Sequence, residues 1–167
     1  MKPKLMTKIE RKKRIKIILP YLKKHWKILD CACGDGWLAN YLNENGYNCT
    51  GVDIQLLKQG ENFVEVSADN MPFEDNSFDC IISIQTLEHI VCEKEFSRVL
   101  KKDGLLLVEV PRWDFPFRVL DRLNVIQAGI EQHVRVVNFH NFSPFSLRKW
   151  FATGCRLCKF GIFRNGK

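Results

Sequence analysis

The sequence predicts a doubly wound α/β fold, with a mostly parallel sheet covered by helices on both faces. Three observations predict it. Short apolar runs alternate with segments of helical spacing through residues 27–110. The runs show no polar alternation, so each strand is expected to be buried on both faces. Carboxylates stand at or just past the ends of the first three runs, at Asp30, Asp53 and Asp69, and strand ends of such sheets border ligand crevices.

The elements follow in order. Residues 1–26 form a basic helical arm. Ile15, Ile18, Leu19 and Leu22 recur there at helical spacing, opposite a lysine-rich face. Pro20 kinks or ends that helix, because it lacks an N–H and clashes with the preceding turn. Residues 27–30 make the first strand and 36–45 a helix, which Asn45-Gly46 can stop in a left-handed cap. Strands follow at 49–53, 63–68 and 78–84. A helix over 93–100 turns through Lys101-Lys102-Asp103-Gly104 into an apolar strand over 105–110. Beyond Pro111 the chain becomes aromatic and proline-bearing. A short amphipathic helix is expected at 119–130 and an extended stretch at 133–139. Ser143 as N-cap and Pro144 at the first helical position predict a helix to about Ala152, closed by Gly154. A last strand spans 156–163.

At 167 residues the chain reads as one domain, 1–167, long enough to bury a core. No apolar run approaches the ~20 residues of a membrane span. The N-terminus lacks the apolar core and cleavage site of a secretory signal. Seven cysteines cannot all pair within the chain. They read as reduced, mostly buried thiols of a cytoplasmic protein. Cys155 and Cys158 form a lone C-x-x-C with no second pair, so no metal site is expected. Charge is unevenly placed: residues 1–27 carry eleven Lys/Arg against one Glu. Such an arm can attract nucleic acid or an anionic surface; the alternative is a solvated face of a helix packed on the sheet.

The densest signal is the stretch from Ile28 to Gly36. An apolar strand ends in Asp30, a tight turn Cys31-Ala32-Cys33-Gly34-Asp35-Gly36 follows, and an apolar-periodic helix begins at Trp37. Such a turn exposes backbone N–H groups at a helix start and suits a nucleotide-like cofactor. Gly34-Asp35-Gly36-Trp37-Leu38-Ala39 also satisfies the dinucleotide fingerprint, with Asp53 near the spacing of a ribose-binding acid. That reading leaves Asp30 without a role.

The whole string resembles the first motif of the class I S-adenosylmethionine-dependent methyltransferases, apolar-apolar-acid followed by G-x-G-x-G, with Ala32 in place of the first glycine. Residues 67–79, Ser-Ala-Asp-Asn-Met-Pro-Phe-Glu-Asp-Asn-Ser-Phe-Asp, resemble a segment of the type 11 group of that family. Residues 97–107, Ser-Arg-Val-Leu-Lys-Lys-Asp-Gly-Leu-Leu-Leu, resemble its R-V-L-K-P-G-G turn, with Lys102-Asp103 replacing Pro-Gly. The resemblance implies a Rossmann-like fold and S-adenosylmethionine as cofactor. It implies close backbone approach at Ala32, Gly34 and Gly36, and Asp30 binding the ammonium directly or through water. Asp53 falls to the ribose diol and Ile54 to the adenine face. Asp69 takes the adenine amino group, the backbone at Asn70 addresses the ring, and Gln85 lies beside the methionine moiety. The family's sheet has seven strands, the last antiparallel beside the fifth. With five parallel strands and one more, the C-terminal strand region is expected to be shorter than usual, or the final segment takes the seventh strand's place.

Methyl transfer from a sulfonium needs alignment and exclusion of water, and a base only where the acceptor is protonated. Glu88 and His89 are the candidate catalytic pair, with His133 and His140 further on. The Asn/Asp-Pro-Pro-Tyr/Phe motif that grips a flipped base is missing after the fourth strand, where Ser83-Ile84-Gln85-Thr86 stands. Residues 111–142 are expected to form the acceptor site or a lid. Trp113, Phe115, Phe117, Phe139 and Phe142 lie there with Arg112, Arg118 and Arg135, a mix suited to a small apolar, aromatic or anionic acceptor. The expected function is methyl transfer to a small molecule by a monomer or homodimer. The alternatives are a non-catalytic binding protein of the same fold and an RNA methyltransferase using the basic arm.

Overall fold

A computed structural model of the protein describes residues 7–57, 60–111, 145–152 and 158–166. The expectations for residues 112–144, including the helix at 119–130, the extended stretch at 133–139, His133 and His140, lie outside the described residues, as do those for Gly154 and Cys155.

Five strands run parallel: β1 (Lys27–Cys31), β2 (Asn48–Asp53), β3 (Phe63–Glu65), β4 (Phe78–Ile84) and β5 (Leu100–Pro111). Two more, β6 (Phe145–Ala152) and β7 (Cys158–Asn165), complete a seven-stranded sheet ordered β3-β2-β1-β4-β5-β7-β6. The strand order reverses between β1 and β4, which opens a crevice at their C-terminal ends.

Burial on both faces explains the unbroken apolar runs. Ile28, Cys80, Ile82, Leu105 and Leu107 pack into one core, and Leu29, Cys31, Ile81, Leu106 and Val108 into the other. The first core is covered by α1 (Lys8–Ile18), whose Ile18 is fully buried, and by α2 (Trp37–Glu44) through Leu38, Ala39 and Leu42. The opposite core is covered by α3 (Glu93–Val99) through Phe96 and Val99.

Local signals set the helix ends. Thr7 and Glu10 form a capping box on α1, satisfying N–H groups at both positions. Pro20 sits in a 3-10 turn, Leu19–Tyr21, just past α1. After α2, Gly46 takes φ +77°, its N–H donates to the Asn43 carbonyl, and the Tyr47 N–H donates to that of Leu42. These paired bonds satisfy carbonyls that the helix end leaves open.

The structure corrects four expectations. The third strand ends at Glu65, so Val66 to Ala68 are loop. Lys101 to Gly104 form a bulge inside β5: Leu100 pairs with Phe78 and Leu105 with Cys80, and Asp103 takes φ +59°. Residues 145–152 are strand, not helix. The Ser-Pro signal there is local and can also precede a strand. Phe145, Trp150 and Phe151 favour extended backbone, and the ladder to β7 satisfies it. Finally, the C-terminal strand region is not short, because β7 runs antiparallel beside β5 and β6 pairs beyond it.

Candidate functional site

The site lies where β1 to β4 end. Past β1, the chain needs left-handed backbone three times in five residues: Ala32 at φ +59°, Gly34 at +57° and Gly36 at +69°. Glycine adopts this without strain; Ala32 does so against its Cβ. The turn is fixed by hydrogen bonds from the Cys33 N–H to the Val52 carbonyl and from the Gly36 N–H to the Cys33 carbonyl, both 2.9 Å. At Gly36 a Cβ would lie 2.7 Å from the Phe63 ring, so the missing side chain lets β3 pack against the turn. At Gly34 a Cβ would meet nothing within 4 Å. One glycine therefore serves packing, and the other borders open space.

Asp53 ends β2 and ties it to this turn. Its Oδ2 accepts from the Gly34 N–H at 2.8 Å and its Oδ1 from the Gln55 N–H at 3.1 Å. Each oxygen keeps a lone pair for a ligand hydroxyl. Ile54, next along, is 72% exposed. Beyond β3, Ser67 Oγ donates to Asp69 Oδ1 at 2.5 Å, and the Asn70 N–H donates to the Ser67 carbonyl at 3.2 Å.

Gln85, just past β4, takes φ +56°, a strained conformation for a non-glycine residue. Its N–H donates to the Glu109 carbonyl at 2.7 Å, which holds the strand tip against β5. The turn that follows is closed by the His89 N–H on the Thr86 carbonyl at 2.8 Å. The Glu88 side chain is buried, and His89 Nε2 lies 3.9 Å from its Oε1.

These strand ends enclose a cleft of about 290 Å³, lined by Ala32, Val52, Asp53, Ile54, Val66, Ser67, Ala68, Gln85, Thr86, His89 and Ile90. Of the residues singled out from sequence, Ala32, Asp53, Ile54, Gln85 and His89 line it. Gly34 and Gly36 shape the turn beside it. Asp69 and Asn70 are exposed on the adjoining loop, and Glu88 lies behind His89. Sequence reading missed Ser67, Ala68, Thr86 and Ile90 as cleft walls.

Asp30, expected to reach the ammonium directly or through water, stands behind the turn. It is buried, does not line the cleft, and accepts from the Ala39 N–H of α2 at 3.2 Å. Burial pushes its carboxyl up to about 7; the Ala39 bond opposes that rise, and the nearby Asp53 and Asp35 charges add to it. Burial and the Asp30 and Asp53 charges also push the Cys33 thiol up to about 12, so it is no thiolate nucleophile near neutral pH.

A strand order of this kind, with an acid-terminated β2 and a glycine turn after β1, defines an α/β protein that binds a nucleoside-bearing cofactor. Comparison with known proteins narrows the class. The family model for the methyltransferase domain matches residues 29–108. The ubiquinone/menaquinone biosynthesis C-methyltransferase UbiE of Campylobacter jejuni is 35% identical over 107 residues, covering 53% of this chain and 46% of that protein. The putative 23S rRNA (guanine-N(1)-)-methyltransferase YxjB of Bacillus subtilis is 36% identical over 101 residues, covering 53% and 35%. The chain thus spans about half the length, or less, of the curated relatives it matches. Among solved structures, a SAM-dependent methyltransferase of Methanosarcina mazei superposes with a TM-score of 0.65 at 20% identity, covering 89% of this chain and 96% of that one. Residues 29–108 thus match a methyltransferase domain, and the chain resembles the class I S-adenosylmethionine-dependent methyltransferases of the type 11-like group.

The residues fit that family's cofactor. The space at Gly34 is open to a ligand, Asp53 offers two oriented oxygens, and the cleft between them has an apolar wall in Val52, Ile54, Val66 and Ile90.

Proposed function

We propose that this protein transfers the methyl group of S-adenosylmethionine to a small-molecule acceptor by in-line displacement. The observation that carries the reading is the cleft into which the ends of four adjacent strands bring Ala32, Asp53, Ser67 and Gln85. When bound, the cofactor supplies an electrophilic methyl carbon on a sulfonium that already has a good leaving group. Asp53, oriented by two backbone N–H groups, takes the ribose hydroxyls. Ile54 packs on the adenine face, Asp69 accepts from the adenine amino group, and Asn70 lies beside the ring. Gln85 borders the methionine end. Asp30 acts from behind the turn by holding the start of α2.

His89 stands in the cleft wall with its imidazole partly open to solvent. There it removes the proton of a hydroxyl acceptor, with the buried Glu88 side chain beside it, Oε1 lying 3.9 Å from Nε2. An acceptor carbon or amine already free of its proton leaves this pair a positioning role. Calorimetric titration with S-adenosylmethionine tests the cofactor half of the reading: a folded protein that does not bind it is not this enzyme. Incubation of a metabolite pool with labelled cofactor, followed by mass spectrometry, tests the acceptor half.

A second reading, methylation of RNA, is favoured by one observation: the outward face of α1 presents Lys8, Lys12, Lys13 and Lys16 to solvent. The similarity to the rRNA methyltransferase named above agrees with it. Neutralising Lys12, Lys13 and Lys16 together as glutamines weakens RNA binding and flattens its salt dependence if that face holds phosphate. Unchanged, salt-independent binding discards it.

A further inference from the structure

Residues 66–77 join β3 to β4 and carry Ser67, Ala68, Asp69 and Asn70 past the cleft. Something must fix a 12-residue connection for its side chains to read a ligand. Its near end is tied to β2 by the Val66 N–H on the Asp53 carbonyl at 2.8 Å, and beyond that Ser67 Oγ donates to Asp69 and the Asn70 N–H to the Ser67 carbonyl. The stronger grip comes from α3. Arg98 Nη2 donates to the Met71 carbonyl at 2.9 Å, and Nη1 donates to the Phe73 carbonyl at 2.7 Å and to Asp75 at 2.8 Å. The guanidinium is itself oriented by Glu95, with its Nε and Nη2 on the two carboxylate oxygens at 2.8 and 2.6 Å. Glu95 Oε1 also accepts from the Met71 N–H at 2.8 Å. One ion pair therefore holds both the N–H and the C=O of Met71, whose side chain is buried.

We propose that Arg98 is a positioning residue for recognition of the cofactor's base, acting through Met71 to set where Asp69 and Asn70 stand. The inference rests on the reading that these two residues address the adenine. Arg98 does not line the cleft, so its effect passes through the loop. The geometry demands arginine in particular. Its planar fork places five N–H donors in fixed directions, here spent on the carboxylates of Glu95 and Asp75 and on two carbonyls of the loop. A lysine ammonium keeps the charge and cannot hold these groups together.

The test compares S-adenosylhomocysteine with its inosine-base counterpart, in which a carbonyl replaces the adenine amino group. Binding of each is measured by calorimetry for the parent, Arg98→Lys, Glu95→Gln and Asp69→Asn, at a temperature where circular dichroism shows each folded. The parent is expected to prefer the adenine ligand. Arg98→Lys should bind it roughly tenfold more weakly and lose most of the preference, with binding of the inosine ligand little changed. Glu95→Gln should shift in the same direction by less, which keeps the test open if the Arg98 variant does not fold. Asp69→Asn should abolish the preference with the loop in place. Folded Arg98 and Glu95 variants that keep the parent's affinity and preference, while Asp69→Asn loses it, overturn the proposal alone. An Asp69→Asn protein that still prefers adenine overturns the reading beneath it.

Discussion

Asp53 is held by two backbone N–H groups, so its carboxylate is already oriented at the cleft; the proposed role toward the ribose diol makes it the first residue to test. Asp53→Ala is expected to weaken S-adenosylhomocysteine binding by about 1–3 kcal/mol, the worth of charge-assisted hydrogen bonds lost to a ligand; calorimetry at constant salt reads it. Asp30 makes the opposite kind of prediction, about stability. Its carboxyl titrates near 7 in the folded chain against 3.8 as the ordinary value. Between those pH values the folded chain keeps a proton that the unfolded chain has released. Stability therefore falls as pH rises through that window, and the loss is complete above about pH 7. Asp30→Asn removes this penalty. It should be more stable than the parent at pH 8 by on the order of 4 kcal/mol and equal to it below about pH 4. Urea unfolding at pH 4, 6 and 8 measures the difference. The two aspartates also show what the sequence could reveal of the site. Both sit at strand ends, and strand ends were legible from the apolar runs. Which one meets the cleft depends on the way each side chain points. Asp30 lies one residue before the end of β1 and faces α2, whereas Asp53 closes β2 beside the turn. Ser67, Ala68 and Thr86 gave no chemical signal, because small residues line a pocket by leaving space.

At the scale of elements, α1 reaches the functional edge of the sheet through two arginines. Arg11 pairs with Asp35 of the glycine turn at 2.5 Å and lies over the Trp37 ring. Arg14 pairs with Glu109 near the end of β5, with both side chains buried. Burying such a pair costs desolvation of both ions, and removing one partner strands the other. Arg14→Ala should destabilise the fold by about 3–5 kcal/mol, while the double variant Arg14→Met, Glu109→Leu recovers most of the loss. Denaturation of Arg14→Met, Glu109→Leu and the double variant gives the coupling. Of the expected apolar stripe, Ile18 at the end of α1 and Leu19 and Leu22 just past it pack into the core, whereas Arg14 was indistinguishable from its lysine neighbours, because its partner lies 95 residues away. The same limit explains β6. Ser143-Pro144 is a strong local helix start, and only the ladder to β7, formed by a later segment, makes residues 145–152 extended. Strands β1, β2 and β4 were read to within a residue or so, since burial on two faces writes itself into every position of those runs.

For the molecule as a whole, β7 lies inside the sheet between β5 and β6, and beyond its ladder to β5 the Asn165 side chain ties it to α3. Asn165 is buried, and its Nδ2 donates to the carbonyls of Ser97 at 3.2 Å and Leu100 at 3.0 Å, where α3 passes into β5. Arg98 and Glu95 sit on that same short helix and hold the loop beside the cleft. Strand β7, α3 and the loop beside the cleft are thus joined by side-chain bonds, so occupancy of the cleft should be felt in global unfolding. A ligand that binds only the folded state stabilises it by RT ln(1 + [L]/Kd), about 2.7 kcal/mol at a hundred times Kd. For a chain of this size that corresponds to a rise in melting temperature of roughly 5–10 °C. S-adenosylhomocysteine should produce this shift, growing with the logarithm of its concentration. A nicotinamide dinucleotide, which the glycine turn taken alone would also admit, should leave the melt unchanged. Asp53→Ala should move the S-adenosylhomocysteine curve to higher ligand concentration without changing its limiting slope. A shift produced equally by both ligands would mean that the turn recognises only a nucleotide, and that the carboxylates at the end of β2 and after β3 do not select between the two cofactors.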